Sequence, residues 1–268
     1  MPDCIDIFAL ADACISATTI DEKLTRSEHA VARIAQSEFA TESAVPPRAV
    51  AQPGRPAKPT LVEPRQLPQR GLGSAEGRTA LVHAVAHIEF NAIDLAWDAV
   101  YRFRGMPVEY YRDWVAVAAD ETRHFRMLQT RLAEFGRGYG DFDAHNGLWE
   151  MAVKTADSCL ERMALVPRVL EARGLDVTPS MISRLRQVGD DTTADILEII
   201  LREEVAHVAA GSRWFAWCCA RAGCEPEATF AALVEQHARA ALRGPFNTAA
   251  RLAAGFSAAE LARLEAAA

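Results

Sequence analysis

The chain has 268 residues, half of them hydrophobic, and a formal net charge of −7. That length supports one large domain or two small ones around a substantial buried core. The acidic balance argues against non-specific binding to a nucleic-acid backbone or an anionic membrane, and no apolar run approaches the roughly 18 residues of a membrane helix.

The chain opens on Met1-Pro2-Asp3-Cys4, with no basic stretch ahead of an apolar one, so a secretory signal is not expected. Residues 4–17 suit a short amphipathic helix, and residues 21–41 suit a second that starts on acids favourable at a helix N-terminus. His29 in that second stretch reads as a surface or packing residue. These two make an N-terminal helical segment, 1–42. From 43 to 77 the chain is an extended Pro-rich arm: seven prolines between 46 and 68 exclude helix and central strand. Leu61, Val62 and Leu67 among them favour an arm laid on the domain over a free linker, because ordering requires apolar anchors.

A bundle is expected over 78–224. Its first long helix begins near Ser74 or Gly77, with Ser74 or Thr79 as cap, and ends at Gly105-Met106-Pro107. Through Glu89 its inward face collects Val82, Val85, Ala86, Ile93 and Ala96. The second helix, about 108–135, presents Trp114, Val117, Ala118, Glu121, His124, Phe125 and Leu128 on one face. The third is expected over about 142–173 with Gly174 as its stop, followed by a short helical piece at 180–188. The fourth starts near Asp190 or Asp191, runs to about Ala222, and presents Leu197, Ile200, Glu204, His207, Val208, Gly211 and Phe215. A tail, 225–268, holds two further short helical patterns separated at Gly244-Pro245, with Ser257 and Glu260 as a capping box. No alternating strand pattern occurs, so the expected class is all-α.

Two stretches carry the chemistry: Asp120-Glu121-Thr122-Arg123-His124 and Glu203-Glu204-Val205-Ala206-His207. A Glu and a His three residues apart share one helix face. Their carboxylate and imidazole suit iron, manganese or zinc. Buried amid apolar residues, such groups are costly unless paired or bound to a cation. Two Glu-x-x-His helices plus one carboxylate from each of two others make the dimetal core of a four-helix bundle. Depth chooses the other two: Glu89 before Gly105, and Glu161 before Gly174, with Asp157 as its substitute. Asp120, Glu203 and Asp157 are candidates to support ligands from outside, by hydrogen bonding an imidazole. Arg168, nearly on the face of Glu161, is a candidate to neutralise the carboxylates or receive an anionic group. His83, His87, His145 and His237 have no comparable partners. The six cysteines, Cys4, Cys14, Cys159, Cys218, Cys219 and Cys224, include no CxxC pair and read as reduced thiols of a cytoplasmic protein.

The runs GRPAKPTLVEPRQLPQRGLGS, HAVAHIEFNAIDLAWDAVYRF, ADETRHF, RMALVPRVLEARGLDVTP and REEVAHV together resemble the DUF455 family of ferritin-like proteins, over nearly the whole chain. The resemblance implies a ferritin-like four-helix bundle with a di-iron or di-manganese carboxylate site, onto which Glu89, Glu121, His124, Glu161, Glu204 and His207 map. At the level of fold the sequence is also similar to a bacterial tRNA-hydroxylating branch, which keeps tRNA among the partners to consider despite the acidic balance. The expected cofactors are two metal ions, iron first, with manganese or zinc as alternatives. The expected activity is O2- or peroxide-activating oxidoreductase chemistry on a small-molecule substrate, with an electron donor the sequence does not name. A ferroxidase or peroxide-detoxifying protein, and a protein with a purely structural metal, are the alternatives. A monomer or homodimer off the membrane is the expected assembly.

Overall fold

A computed structural model of the chain describes residues 5–238 and 243–267. Cys4, where the first expected helix begins, and residues 239–242 of the tail lie outside the described residues. Among the described residues the protein is all helical, with no strand and two isolated backbone bridges, Ile5 to Phe39 and Leu61 to Ala144. None of these helices is long and apolar enough to cross a membrane. The chain divides into two compact units, Met1–Trp149 and Glu150–Ala268.

The first unit holds α1 (Ile7–Ile15), α2 (Ile20–Ala35), α3 (Ala75–Arg102) and α4 (Val108–Glu134). The starts of α1, α2 and α3 are explained by a side chain that accepts from unpaired first-turn N–H groups. Asp6 caps α1, Thr19 caps α2 and Ser74 caps α3 through the Gly77 N–H. Thr79 is instead inside α3, with its hydroxyl on the Ala75 carbonyl. The helix ends before Gly105, which takes the left-handed φ of +66° that only glycine adopts without strain. Pro107 precedes α4, whose long face returns antiparallel along α3. Tyr111 locks this turn: its hydroxyl donates to the Phe103 carbonyl at 2.9 Å and accepts from the Met106 N–H at 3.3 Å.

The arm is laid on this unit, but by different anchors than Leu61, Val62 and Leu67, which stay partly exposed. Val50, Pro53, Pro59 and Leu72 are buried, and main-chain bonds do much of the rest. The Gly54 N–H reaches the Ile15 carbonyl at 2.7 Å, Val62 and Thr60 bond to Ala144, and the Arg48 N–H bonds to the Tyr101 hydroxyl. At Gly54 the arm approaches α1 so closely that a Cβ would overlap the Ser16 and Ala17 carbonyls. Gly54→Ala is therefore expected to lower stability by about 1–3 kcal/mol, as overpacking does. Urea unfolding checks it, and a midpoint equal to the wild type would show that the arm gives way at no cost.

The helix α5 (Gly147–Lys154) crosses into the second unit. There the expected single helix over 142–173 is broken at 155–158 and then continues well past Gly174. Ser158 starts α6 (Cys159–Leu165) by accepting from the Glu161 N–H. A π-helical turn follows at Val166–Glu171, then α7 (Ala172–Gln187), without interruption at Gly174 or Pro179. Pro167 explains the π turn: with no N–H to give and a ring that crowds the preceding turn, it is accommodated by widening the helix. A helical glycine costs only about 1 kcal/mol relative to alanine, less than packing supplies, so Gly174 does not end the run. Gly189 turns the chain at φ +75°, Asp190 caps the Thr193 N–H, and α8 (Asp191–Ala222) returns along α6 and α7 to a left-handed Gly223. The tail has three described helices rather than two: α9 (Pro226–His237), α10 (Thr248–Ala253) and α11 (Ala258–Ala267).

Candidate metal centre

In the first unit Glu89 comes from α3, and Glu121 and His124 come from α4. All three are buried, and one donor atom from each lies within 4.8 Å of the others. His124 Nδ1 is 3.2 Å from Glu89 Oε2 and 3.5 Å from Glu121 Oε2. The surroundings are apolar: Val82, Ala86, Ile93, Val117, Ala118, Phe125 and Leu128 are buried on the same two helices. Burial acts to lower the imidazole pKa, but the hydrogen bonds and charges of Glu121 and Glu89 outweigh it and hold the pKa up at about 11. Two buried carboxylates thus gather around one cationic ring. A cluster of this composition could hold a metal ion, since carboxylate oxygen and imidazole nitrogen are donors for divalent iron, manganese and zinc, and a bound cation offsets the cost of burying both acids.

In the second unit α8 carries Glu204 and His207, with His207 Nδ1 3.2 Å from Glu204 Oε1 and the imidazole 2% exposed. The hairpin of α7 and α8 sets what stands opposite them. Pro167 packs directly on Gly211, where a Cβ would overlap the proline ring. These two residues are equally far along the chain from Gly189, and so are Glu171 and His207. Glu171, the last residue of the π turn, is four residues on from Pro167, and by this count it comes level with His207 along α8. Its Oε2 is shut off from solvent. Glu161 is matched instead to Trp217, ten residues beyond His207, or about 15 Å along the helix axis. Near that level the Cys159 thiol lies beside that of Cys218. Among the described residues Glu161, Asp157 and Glu171 alike join no group of three metal-type donors, so register alone separates them. The choice of Glu161 rested on a helix end at Gly174 that the structure moves to Gln187.

Asp120 pairs with Arg123 at 2.7 Å on the outer side of α4, beside an open groove of about 420 Å³ that also touches Glu28 and Val31 of α2. Glu203 is 3.8 Å from Arg202. Arg168 is buried against Glu260, Ser212 and three phenylalanine rings rather than against Glu161.

His83 and His87 serve the loop after α4. His83 Nε2 accepts from the Gly140 N–H at 2.9 Å. His87 donates from Nε2 to the His145 carbonyl at 3.0 Å, and its Nδ1 accepts from the Tyr139 hydroxyl at 2.8 Å. Burial pushes both imidazoles down to about 4, so they are neutral. Sequence reasoning missed Lys23, which is wholly buried on α2 and ion-paired with Asp94 of α3, with the Cys14 carbonyl 3.2 Å away. Asp94 and Asp98 were the available signal: acids in the apolar centre of α3 each demand a cation, and Asp98 finds Arg102 at 2.6 Å.

A family model described as "Protein of unknown function (DUF455)" matches residues 16–262. A Haemophilus influenzae protein described as "Uncharacterized protein" is 44% identical over 213 residues, covering 77% of this chain and 74% of that relative. No solved structure matches the chain.

Proposed function

The chain belongs to the DUF455 family, and for it we propose a dimetal carboxylate protein of ferritin-like architecture that acts as an O2- or peroxide-activating oxidoreductase on an organic substrate. The observation that carries this reading is the buried cluster of Glu89, Glu121 and His124. The second unit supplies the matching half, an antiparallel pair of helices with Glu204 and His207 on one and Glu171 facing them on the other. In this reading the metal donors are Glu89, Glu121, His124, Glu171, Glu204 and His207. Glu171 takes the place first given to Glu161. One carboxylate from each of two helices and a Glu-x-x-His from each of two others is the donor set of dimetal bundles.

When bound, two redox-active ions in such a set, iron above all, supply electron transfer to a small oxidant. The protein's own part is to hold the donors without water. Burial of Glu89 and Glu121 removes hydration that would otherwise weaken their attraction for a cation. Glu121 and His124 share a helix face, as do Glu204 and His207, so each pair is arranged before any ion arrives.

The test is an anaerobic Fe(II) titration of chelator-stripped protein, followed by O2. About two irons per chain are expected, as the donor count requires, with an oxidised species that appears on adding O2 and fails to form in Glu204→Ala. An inert titration, or protein that takes only zinc, would overturn the reading. Iron oxidation with no organic product after a substrate search would turn it into a ferroxidase.

A further inference from the structure

We propose that Arg168 is a positioning residue for the metal centre, and that Glu260 near the C-terminus belongs to the same device: together they fix the π turn that presents Glu171 to His207. The inference rests on the dimetal reading and adds to it a dependence on the tail.

A π turn inserts one extra residue into a helix and rotates everything after it by about 100°. Glu171 is the last residue of the turn at Val166–Glu171, so its direction depends on that insertion being held. Two contacts hold it. Pro167 is seated on Gly211, where any side chain would collide with its ring. Next to it, Arg168 is 2% exposed and is held through Nε, Nη2 and the faces of three rings, while its Nη1 is buried without a hydrogen-bond partner. Its Nη2 donates to Glu260 Oε1 at 2.8 Å and its Nε to Ser212 Oγ at 3.2 Å. Its guanidinium carbon lies 4.9, 4.2 and 4.4 Å from the ring centres of Phe215, Phe230 and Phe256. Gly211 and Ser212 follow His207 on α8 by four and five residues, so the clamp closes one turn from the imidazole.

Glu260 is itself fixed. Its Oε2 accepts from the Ser257 N–H at 2.8 Å while the Ser257 hydroxyl accepts from the Glu260 N–H at 3.0 Å. One carboxylate thus starts α11 with one oxygen and holds the π turn with the other. A buried ion pair gains little over apolar residues of the same volume. What a fork-shaped, charged side chain adds is a defined direction, since the guanidinium has one plane and a bidentate pattern of donors. An apolar staple would attach the tail as well, but it would not set the phase of the turn.

Anaerobic Co(II) titration separates this from plain stability, read by the visible absorption of bound Co(II) and by the number of ions per chain. Wild type, Glu171→Ala, Glu260→Gln, Arg168→Lys and Gly211→Ala are compared, each checked for helicity by circular dichroism. Wild type is expected to bind two ions and Glu171→Ala one. Glu260→Gln, Arg168→Lys and Gly211→Ala should keep the first ion with its spectrum unchanged, bind the second about 10–100-fold more weakly, and show an altered spectrum for it. Gly211→Ala disturbs the turn without touching the ion pair, so it decides the matter if Glu260→Gln does not fold. Two ions bound with wild-type affinity and spectrum in the folded variants would overturn the proposal, whatever their melting temperatures. Wild type binding no ion would overturn the dimetal reading itself, and this inference with it.

Discussion

Glu171→Ala is expected to reduce the metal content from about two ions per chain to about one, whereas Glu161→Ala leaves both in place. The two acids lie on one continuous helical run, and the register of that run against α8 separates them. Glu171 and His207 are equally distant from Gly189, as are Pro167 and Gly211, which are in van der Waals contact. Glu161 is nearly three turns further from the hairpin, at the level where Cys159 meets Cys218. A carboxylate reaches only a few ångströms beyond its backbone, so no rotamer of Glu161 spans the roughly 15 Å to the His207 level. Its main-chain N–H is engaged by the Ser158 hydroxyl, which makes it a first-turn acid stabilised by the helix dipole. Metal analysis of the two purified variants checks the contrast. If Glu161→Ala lost the ion and Glu171→Ala kept it, the helix register would not be what selects the ligand.

The proposed move from Glu161 to Glu171 shows where the sequence is readable. Long faces with a repeat of 3.6 are strong signals, and α3, α4 and α8 begin and end close to where caps and glycines place them. Glu121, His124, Glu204 and His207 stood out because polar groups interrupt an apolar stripe, and that argument needs no knowledge of the partner helix, whereas Glu89 was chosen by depth. The third helix had no such protection. Its course depends on how Pro167 is absorbed and on whether packing outweighs Gly174, and both are settled by α8, not locally. The same holds for Glu260, whose capping-box pattern is visible within four residues while its second partner, Arg168, is 92 residues away. The arm was legible as extended because proline forbids the alternatives. Its attachment was not, because it runs through backbone groups that every residue carries.

Lys23→Ala is expected to destabilise the protein by about 3–5 kcal/mol, the cost of removing one partner from a buried ion pair. Nothing in residues 21–41 marks Lys23 as different from its exposed neighbours, yet it is 0% exposed and Asp94 only 1%. Its ammonium group is satisfied by Asp94 and by the Cys14 carbonyl and lies 5.5 Å from the Phe90 ring centre. Burial raises the Asp94 pKa to about 6 against the opposing pull of Lys23. Without the lysine that pull is lost and the acid rises further. An acid whose folded pKa exceeds its unfolded value binds more protons when folded, so stability falls as pH climbs between the two. The loss in Lys23→Ala should therefore be smaller at pH 5 than at pH 8, where the acid must stay charged and unpaired or take up a proton at a cost. Urea unfolding at both pH values measures it. Lys23→Met combined with Asp94→Asn, which removes the charge on both sides, should recover most of the stability. A single variant within about 1 kcal/mol of wild type at pH 8, the scale of an exposed pair, would mean that the pair is open to water.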